Sequence, residues 1–165
     1  LKPLAVPQDV AIMAAMMGAE VWIAHPPGFE LMENIMEAVR GLADRYGGSV
    51  RVTSDMKEAF DGATFVYPKA WSPKAFFPPF SVDAKVHKEE AMEYQSKFRG
   101  WIVTRELLEE AGRPYYMHCG PADRGQEVTD EVLDTYEKSL YFEEAENRLH
   151  VQKAVMSMVM GSRYE

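Results

Sequence analysis

The sequence predicts an α/β fold, a three-layer doubly wound parallel sheet covered by helices on both faces. Short apolar runs with strand character alternate with segments of helical periodicity along the chain, and this alternation is typical of parallel sheets. The 165 residues are 47% hydrophobic, which is enough to bury one core, so a single domain over 1–165 is expected. In such a sheet, ligands bind at the carboxyl ends of the strands.

The first part of the chain reads as two helix and strand units. Val6 to Met17 is predicted as a helix that ends at Gly18, and "EVWIAHP" (20–26) follows as a strand. Residues 29–48 place apolar side chains at helical spacing and end in two glycines, after which "SVRVTS" (49–54) is predicted as the next strand.

A long insertion interrupts the third unit. We predict a short helix over 55–63 and a strand over "TFVYPKAW" (64–71), followed by an insertion loop over 72–100. That loop is rich in proline and phenylalanine, with a polar helical stretch around Lys88 to Lys97. Connections of this length are commonly functional.

The last part of the chain returns to regular alternation. We predict a helix over 104–112, a strand over "RPYYMHC" (113–119), a helix over 129–136, a strand over "KSLYF" (138–142) and a closing helix from about Glu143 to Met160. Three strand ends run into loops, at "AHPPG", "YPKAWSP" and "HCGPADRG". These junctions are the places where we expect function.

Composition excludes several classes of protein. With 26 acidic and 18 basic residues the formal charge is −8, so nucleic acid is not an expected partner. The longest apolar run, Val10 to Ala19, is far shorter than the roughly 20 residues of a membrane span. Cys119 is the single cysteine, and no signal sequence is evident, so a cytoplasmic protein is expected.

Because the chain opens on a loop that feeds a helix, we also expect residues before Leu1.

The adjacent pair His118 and Cys119 allows three interpretations. As nucleophile and base they are poorly placed, because neighbouring strand side chains point to opposite faces. As a metal site they lack support, because His25, His87 and His150 show no paired ligand spacing, and no metal is expected. The third interpretation is a strand that ends in a plain turn, and these residues alone leave it open.

Arg148 occupies an unusual place in the closing helix. A cation is disfavoured in the first turns of a helix by the helix dipole, yet Arg148 follows closely on the predicted start. An anion shared with the free backbone N–H groups would explain it. An ion pair with Glu144, four residues earlier, would explain it equally well.

Together, these segments resemble a known family. "HCGPADRGQEVTDEV", followed about twenty residues later by "AENRLHVQKA", is similar to the carbamoyltransferase signature of a His-Cys-Leu-Pro turn and a Glu-Asn-Arg-x-His helix. "KPLAVPQD", "AHPPGFELMENIMEA" and "ATFVYPKAWSP" resemble the knotted branch related to N-acetylornithine carbamoyltransferase, which includes members of unassigned substrate. The resemblance covers nearly all 165 residues. It implies a Rossmann-like fold of the aspartate/ornithine carbamoyltransferase type, with a trefoil knot around Pro3 and Pro7.

The resemblance extends only to the C-terminal, amino-acid-binding domain of that family. The Ser-Thr-Arg and His-Pro-x-Gln motifs of the N-terminal carbamoyl-phosphate domain do not occur in the chain, nor does the first strand of the second domain. We therefore expect a domain truncated at its N-terminus, whose missing partner is the carbamoyl-phosphate domain. The full-length parent is expected to be a homotrimer, and this fragment alone is expected to be inactive.

The resemblance also implies a reaction and a site. The family transfers the carbamoyl group of carbamoyl phosphate to an amine of an amino acid or derivative, without a metal or organic cofactor. Carried over by position, Cys119, Gly120, Pro121 and Arg148 would bind carbamoyl phosphate. Cys119, Arg148 and His118 would form the catalytic group, with His118 supporting the turn. The Gly120–Pro121 bond is a candidate cis peptide.

The amine site differs from that of ornithine enzymes. Those enzymes have an aspartate and a Ser-Met-Gly loop after the third strand, where this chain has "YPKAWSPKAFF", so free ornithine is a less expected substrate. Lys69, Trp71, Ser72 and Lys74 are the candidate substrate-binding residues. Lys153 is a weaker one, for which a solvated side chain is the alternative, as plain packing is for Trp71.

Gly120 stands where the family usually has leucine, which removes an apolar wall from the site. Together with the absence of the first domain, this substitution favours an alternative function, a catalytically silent small-molecule-binding or scaffold domain of the same fold. A nucleotide-binding oxidoreductase is disfavoured because no Gly-x-Gly-x-x-Gly turn occurs.

Overall fold

The computed structural model describes residues 3–76 and 86–161. Helices and strands alternate through these ranges. The helices are α1 (Ala5–Met16), α2 (Glu33–Tyr46), α3 (Met56–Phe60), α4 (Val86–Ser96), α5 (Arg105–Glu110), α6 (Asp130–Thr135) and α7 (Tyr141–Met160). The strands are β1 (Glu20–Ala24), β2 (Ser49–Thr53), β3 (Phe65–Val66) and β4 (Tyr115–Tyr116).

The strands pair in parallel, as the sequence predicts. β1 pairs with β2, with Glu20 opposite Ser49, and β3 pairs with β4, with Phe65 opposite Tyr115. The strands form two separate two-stranded sheets, whereas we expected one continuous sheet. β3 and β4 are only two residues long, so they form few hydrogen bonds beyond those of their own pair.

The two faces of β1 contact different apolar clusters. Val21 and Ile23 are buried with side chains of α1 and α2. Trp22 and Ala24 pack against a second cluster, built on β3, β4, α3, α5 and α6. Because successive strand side chains point to opposite faces, β1 is covered on both sides, in agreement with the predicted α/β class.

Local signals set several helix boundaries. The Asp55 side chain accepts hydrogen bonds from the backbone N–H groups of Lys57 and Glu58 at the start of α3. α2 ends at Gly47, whose φ of 79° is left-handed, a conformation that glycine adopts at little cost. The predicted insertion contains a 3-10 turn over Lys74–Phe76 and helix α4; its residues 77–85 lie outside the described ranges.

The predicted strand over 138–142 is wrong. Ser139 forms only an isolated parallel bridge with Tyr116, and the Leu140 N–H then donates to the Tyr116 carbonyl oxygen at 2.8 Å. Helix α7 begins immediately afterwards, at Tyr141. Arg148 consequently lies almost two turns inside the helix and not in its first turn.

Helix α7 is exposed over most of its length. Every residue from Ala145 to Met160 is exposed. The exposed side chains of α7 include eight large apolar ones: Phe142, Leu149, Val151, Val155, Met156, Met158, Val159 and Met160. Among the helices of the described ranges, none combines the length and apolarity that crossing a membrane would require.

Candidate functional site

The candidate site is the turn that follows β4. The Met117 N–H donates to the Val66 carbonyl oxygen at 2.9 Å, which extends the β3 and β4 pairing to the edge of the turn. His118 follows with a fully buried side chain, and Cys119 is partly buried. The Gly120–Pro121 peptide bond is cis, which confirms the conformation expected from the sequence.

Both ring nitrogens of His118 are engaged within the protein. The Gly120 N–H donates to Nδ1 at 2.9 Å, and Nε2 lies 3.0 Å from Oε2 of Glu127. Neither nitrogen is therefore open to the Cys119 thiol, which agrees with the poor fit of a Cys–His nucleophile. No backbone N–H of the described ranges donates to the carbonyl oxygens of Cys119 and Gly120.

Polar side chains converge beside Cys119. Tyr67 Oη donates to Glu144 Oε1 at 2.8 Å. Burial, together with hydrogen bonds to Glu144 and Cys119, raises the pKa of Tyr67, so the phenol stays a protonated donor at neutral pH. Within the described ranges, Glu144 Oε2 and Tyr116 Oη are buried without a hydrogen-bond partner.

The first turn of α7 connects Arg148 to this cluster. Glu144 lies in that turn, and Arg148 is four residues further on, which places it on the same helix face about 6 Å along the axis. Among the described residues no ion pair joins Arg148 to Glu144, whose Oε1 accepts from Tyr67 and whose Oε2 is buried. Arg148 itself is exposed. The free N–H groups of a helix belong to its first turn, so Arg148 does not adjoin them as we expected.

The substrate candidates after β3 are held by the fold in different ways. Lys69 Nζ lies 3.2 Å from Glu127 Oε1, and its side chain is 15% exposed. Trp71 Nε1 donates to the Phe29 carbonyl oxygen at 2.9 Å, which supports the packing interpretation. Ser72 is 1% exposed, whereas Lys74 is exposed on the 3-10 turn.

Lys153 does not share the face of Arg148. It lies five residues further along α7 and is exposed, and five residues rotate a helix side chain by about 140°. The structure therefore brings Lys69 close to the turn that contains His118 but leaves Lys153 apart from Arg148.

Sequence reasoning missed Glu127 and Tyr67, and considered Glu144 only as a partner for Arg148. Glu127 and Tyr67 lie inside the quoted motifs, and Glu144 immediately precedes "AENRLHVQKA". The sequence did not indicate that the two glutamates are drawn into the fold, because an acidic residue in a turn or at a helix start is usually solvated.

Two surface depressions lie apart from this site. Two depressions of about 310 Å³ each, one lined by Arg40 and Ser49 and the other by Lys57 and Glu110, contain no residue of the turn. Within the described part of the chain, no group of three or more histidine, cysteine or acidic side chains is placed to hold a metal ion.

Comparisons with known proteins identify relatives of this chain. The family described as "Aspartate/ornithine carbamoyltransferase, Asp/Orn binding domain" matches residues 5–159. The ornithine carbamoyltransferase of Methanothermobacter thermautotrophicus is 37% identical over 154 residues, covering 93% of this chain and 47% of its own length. The catabolic ornithine carbamoyltransferase of Thermoplasma acidophilum is 37% identical over 149 residues, covering 90% of this chain and 45% of its own length. The chain thus spans about half the length of the curated relatives it matches.

Solved structures of carbamoyltransferases also superpose on this chain. An acetylornithine transcarbamylase complexed with acetylcitrulline superposes with a TM-score of 0.80 at 29% identity, covering 94% of this chain and 44% of its own. Ornithine carbamoyltransferase from Pyrococcus furiosus gives a TM-score of 0.78 at 34% identity, covering 94% and 46%. A variant of N-acetyl-L-ornithine transcarbamylase, complexed with carbamyl phosphate and N-succinyl-L-norvaline, gives 0.78 at 29% identity, covering 92% and 43%.

Proposed function

This chain belongs to the Asp/Orn-binding domain family of aspartate/ornithine carbamoyltransferases, and we propose that it forms the amino-acid-binding half of a carbamoyltransferase. The full-length protein transfers the carbamoyl group of carbamoyl phosphate to the amine of an amino acid or derivative. The chain supplies one wall of the active site, and a carbamoyl-phosphate domain in the same polypeptide supplies the other. Without that domain the chain is inactive.

One observation carries this proposal. The turn at Cys119 and Gly120 has two backbone carbonyl oxygens to which no backbone N–H of the described ranges donates, while the Gly120 N–H is bound internally to His118. A carbamoyl group has an NH₂ with two N–H donors, and two neighbouring carbonyl acceptors match it. An arginine is well suited to the phosphate of the same molecule. Arg148 is one helical turn from Glu144, whose hydrogen-bond partner Tyr67 also bonds to Cys119.

The chemistry requires orientation more than acid or base groups. An unprotonated amine attacks the carbonyl carbon of carbamoyl phosphate, and phosphate leaves from a tetrahedral intermediate. Fixed dipoles and a cation placed where charge develops stabilise that intermediate. In this chain the carbonyl oxygens of Cys119 and Gly120 orient the carbamoyl group, Arg148 neutralises the phosphate, and Cys119 and Pro121 line the wall of the site. His118 holds the turn.

The amine is proposed to differ from free ornithine. Lys69, Trp71, Ser72 and Lys74 occupy the loop where ornithine enzymes have an aspartate, and a lysine suits an acidic or acylated substrate better than an ammonium group. This assignment places the chain in the knotted branch related to N-acetylornithine carbamoyltransferase. Lys74 is the exposed cation of that loop, and Lys153 is the more distant candidate. The full-length enzyme is proposed to be a cytoplasmic homotrimer.

A substrate panel tests the function. The full-length polypeptide that carries this chain is incubated with carbamoyl phosphate and, separately, with ornithine, N-acetylornithine, N-succinylornithine and other amino acids, and released phosphate is measured. We expect phosphate release that depends on one of the amines other than ornithine, together with a carbamoylated product in the mass spectrum. Binding of carbamoyl phosphate without turnover of any amine would favour the silent binding domain.

A further inference from the structure

Glu127 connects the two loops that surround the candidate site. It lies after the turn, and its side chain is only 1% exposed. Oε1 is 3.2 Å from Lys69 Nζ and accepts from the Ala70 N–H at 2.7 Å. Oε2 is 3.0 Å from His118 Nε2 and accepts from the Asp123 N–H at 2.8 Å. One carboxylate therefore binds the loop after β3 with one oxygen and the turn after β4 with the other.

The backbone of Glu127 is fixed as well. Its N–H donates to the Asp123 carbonyl oxygen at 2.9 Å, and its carbonyl oxygen accepts from the Val103 N–H at 2.9 Å. The side chain thus extends from a backbone held at both sides, so the positions of its two oxygens are set before any ligand binds. β3 and β4 are parallel neighbours, which places both loops at the same edge of the sheet.

These contacts determine the protonation of His118. Nδ1 accepts the Gly120 N–H, so it carries no proton, and a neutral imidazole then carries its proton on Nε2. That proton points to Glu127. With Lys69, Ala70 and Asp123 also donating, all four hydrogen bonds require acceptors on Glu127, which is the role of an ionised carboxylate.

We propose that Glu127 is the positioning residue for carbamoyl transfer in this domain. Its carboxylate holds His118 as the Nε2-protonated tautomer, so that Nδ1 binds the Gly120 N–H and the carbonyl oxygens of Cys119 and Gly120 stay directed to the ligand. The same carboxylate neutralises Lys69 and ties its loop to the turn. Glu127 touches no substrate. This inference rests on the proposed function, which supplies the reaction that the turn serves.

Replacement of Glu127 by glutamine keeps the volume of the side chain but changes its hydrogen bonding, so it tests the positioning role apart from packing. An amide has one oxygen and one NH₂ group, so in Glu127→Gln the NH₂ must face either the donors of the Lys69 loop or those of the His118 turn. Either orientation opposes donor to donor and releases one loop. We expect kcat of the full-length enzyme to fall on the order of 100-fold, the effect of a displacement near 1 Å at a reacting centre, with a smaller change in KM.

The matched control is Glu110→Gln, the same replacement at an exposed carboxylate paired with Lys57. It should leave kcat and KM at the wild-type values. Two variants of His118 show which of its two hydrogen bonds, to the Gly120 N–H or to Glu127, activity requires. They remain informative if Glu127→Gln does not fold. His118→Asn retains an acceptor for the Gly120 N–H, whereas His118→Gln retains only a donor for Glu127, so His118→Asn should keep more activity.

A spectroscopic measurement on the 165-residue chain tests the tautomer without any assay of activity. In ¹⁵N-edited NMR spectra, His118 should show an unprotonated Nδ1 and a protonated Nε2, and the Gly120 amide should exchange slowly with solvent. In Glu127→Gln that exchange should become at least about tenfold faster. A merely structural role would lower stability in Glu127→Gln without changing kcat per folded molecule.

The outcomes separate the inference from the function on which it rests. If the wild-type enzyme transfers carbamoyl groups and folded Glu127→Gln does so at the wild-type kcat, the positioning role is wrong. A protonated Nδ1 in the wild-type chain would overturn it as well, as would equal activity of the two His118 variants. If the wild-type enzyme releases no phosphate with any amine, the proposed function itself has failed, while the NMR spectra still establish whether Glu127 sets the tautomer.

Discussion

The turn after β4 and helix α7 both carry candidate residues, but the fold holds them differently. In the turn, His118 and Glu127 are almost fully buried and bind each other, and such satisfied polar networks are rigid. On α7, Arg148 is exposed and large apolar side chains surround it along the helix. The chain therefore preorganises the backbone atoms of Cys119 and Gly120, whereas the guanidinium of Arg148 keeps its rotamer freedom until a ligand or another surface orders it.

Removing Glu127 should break the turn most severely. In Glu127→Ala, His118 and Lys69 lose their common acceptor in a buried site. Removal of one partner of a buried ion pair leaves the other charge unpaired and costs about 3–5 kcal/mol. We expect a decrease of that size in the free energy of unfolding of the chain, measured by urea denaturation. Glu110→Ala, at the exposed pair with Lys57, should leave it almost unchanged. Similar values for the two variants would show that the network does not stabilise the turn.

Replacement of Arg148 should show the opposite behaviour, with function lost and stability kept. In Arg148→Ala the free energy of unfolding should be unchanged because the side chain is exposed. A charge-assisted hydrogen bond is worth about 1.5–3 kcal/mol, so KM for carbamoyl phosphate in the full-length enzyme should rise roughly 10- to 100-fold. Arg40→Ala, an exposed arginine of α2, is the control. Unchanged kinetics in Arg148→Ala would remove α7 from the site.

Gly120 lies where the turn meets the first residue of α7. Its φ is 63°, and a Cβ added there would lie 3.3 Å from Tyr141 Oη. Gly120→Ala should destabilise the chain by about 1–2 kcal/mol, the usual cost of a left-handed conformation for a side-chain-bearing residue. Gly47 also has a positive φ, but a Cβ added to it would meet no atom within 4 Å, so Gly47→Ala isolates the backbone cost.

The excess loss in Gly120→Ala over Gly47→Ala then measures the contact with α7. It should shrink when Tyr141→Phe is added to Gly120→Ala, because the hydroxyl that crowds the new Cβ is gone. No difference between the two glycine variants would mean that Tyr141 gives way without cost. In this chain, the positive φ of Gly120 and its contact with Tyr141 both disfavour a bulky side chain at residue 120.

Local signals in the sequence predicted much of the fold. The apolar spacing and final glycines of α2 and the proline after Gly120 each act within a few residues, and the structure agrees with them. The predicted strand over 138–142 failed because an apolar stretch of that length fits either a strand or a helix start. Pairing with Tyr116 ends at Leu140, and no local pattern specifies that.

The site was predicted less completely for a physical reason. The quoted motifs indicated Cys119, Gly120 and Arg148 as candidates, and their roles stay predictions; the expected turn, with its cis Gly120–Pro121 bond, is present. The role of Glu127 depends on a contact with Lys69, 58 residues away in the chain, and on burial of its side chain. Neither a distant contact nor the burial of one side chain produces a periodic or compositional pattern in the sequence. The substrate-binding role of Lys69 stays a prediction; its ion pair with Glu127 could not be seen in the sequence.

Two buried tyrosines of one apolar cluster test whether a buried hydroxyl has a hydrogen-bond partner. Tyr116 is fully buried, and its Oη has no partner in the described ranges. Tyr136 is 4% exposed and donates to the Pro114 carbonyl oxygen at 2.7 Å. Tyr136→Phe should therefore cost about 1 kcal/mol of unfolding free energy, whereas Tyr116→Phe should cost nothing or stabilise the chain slightly. An equal loss in both would show that Tyr116 Oη is satisfied in solution.

The smallest expected effect concerns alkaline pH. Burial raises the pKa of Tyr116, with further contributions from Glu127 and Tyr141, while the unfolded chain keeps the ordinary value of about 10. Above that pH the unfolded state loses the phenolic proton and the folded state retains it, so stability is fully present below pH 10 and falls as pH rises. Tyr116→Phe removes this contribution. Urea denaturation between pH 8 and pH 11 should accordingly show a shallower decline for Tyr116→Phe than for the wild type, and parallel curves would mean that the phenol ionises equally in both states.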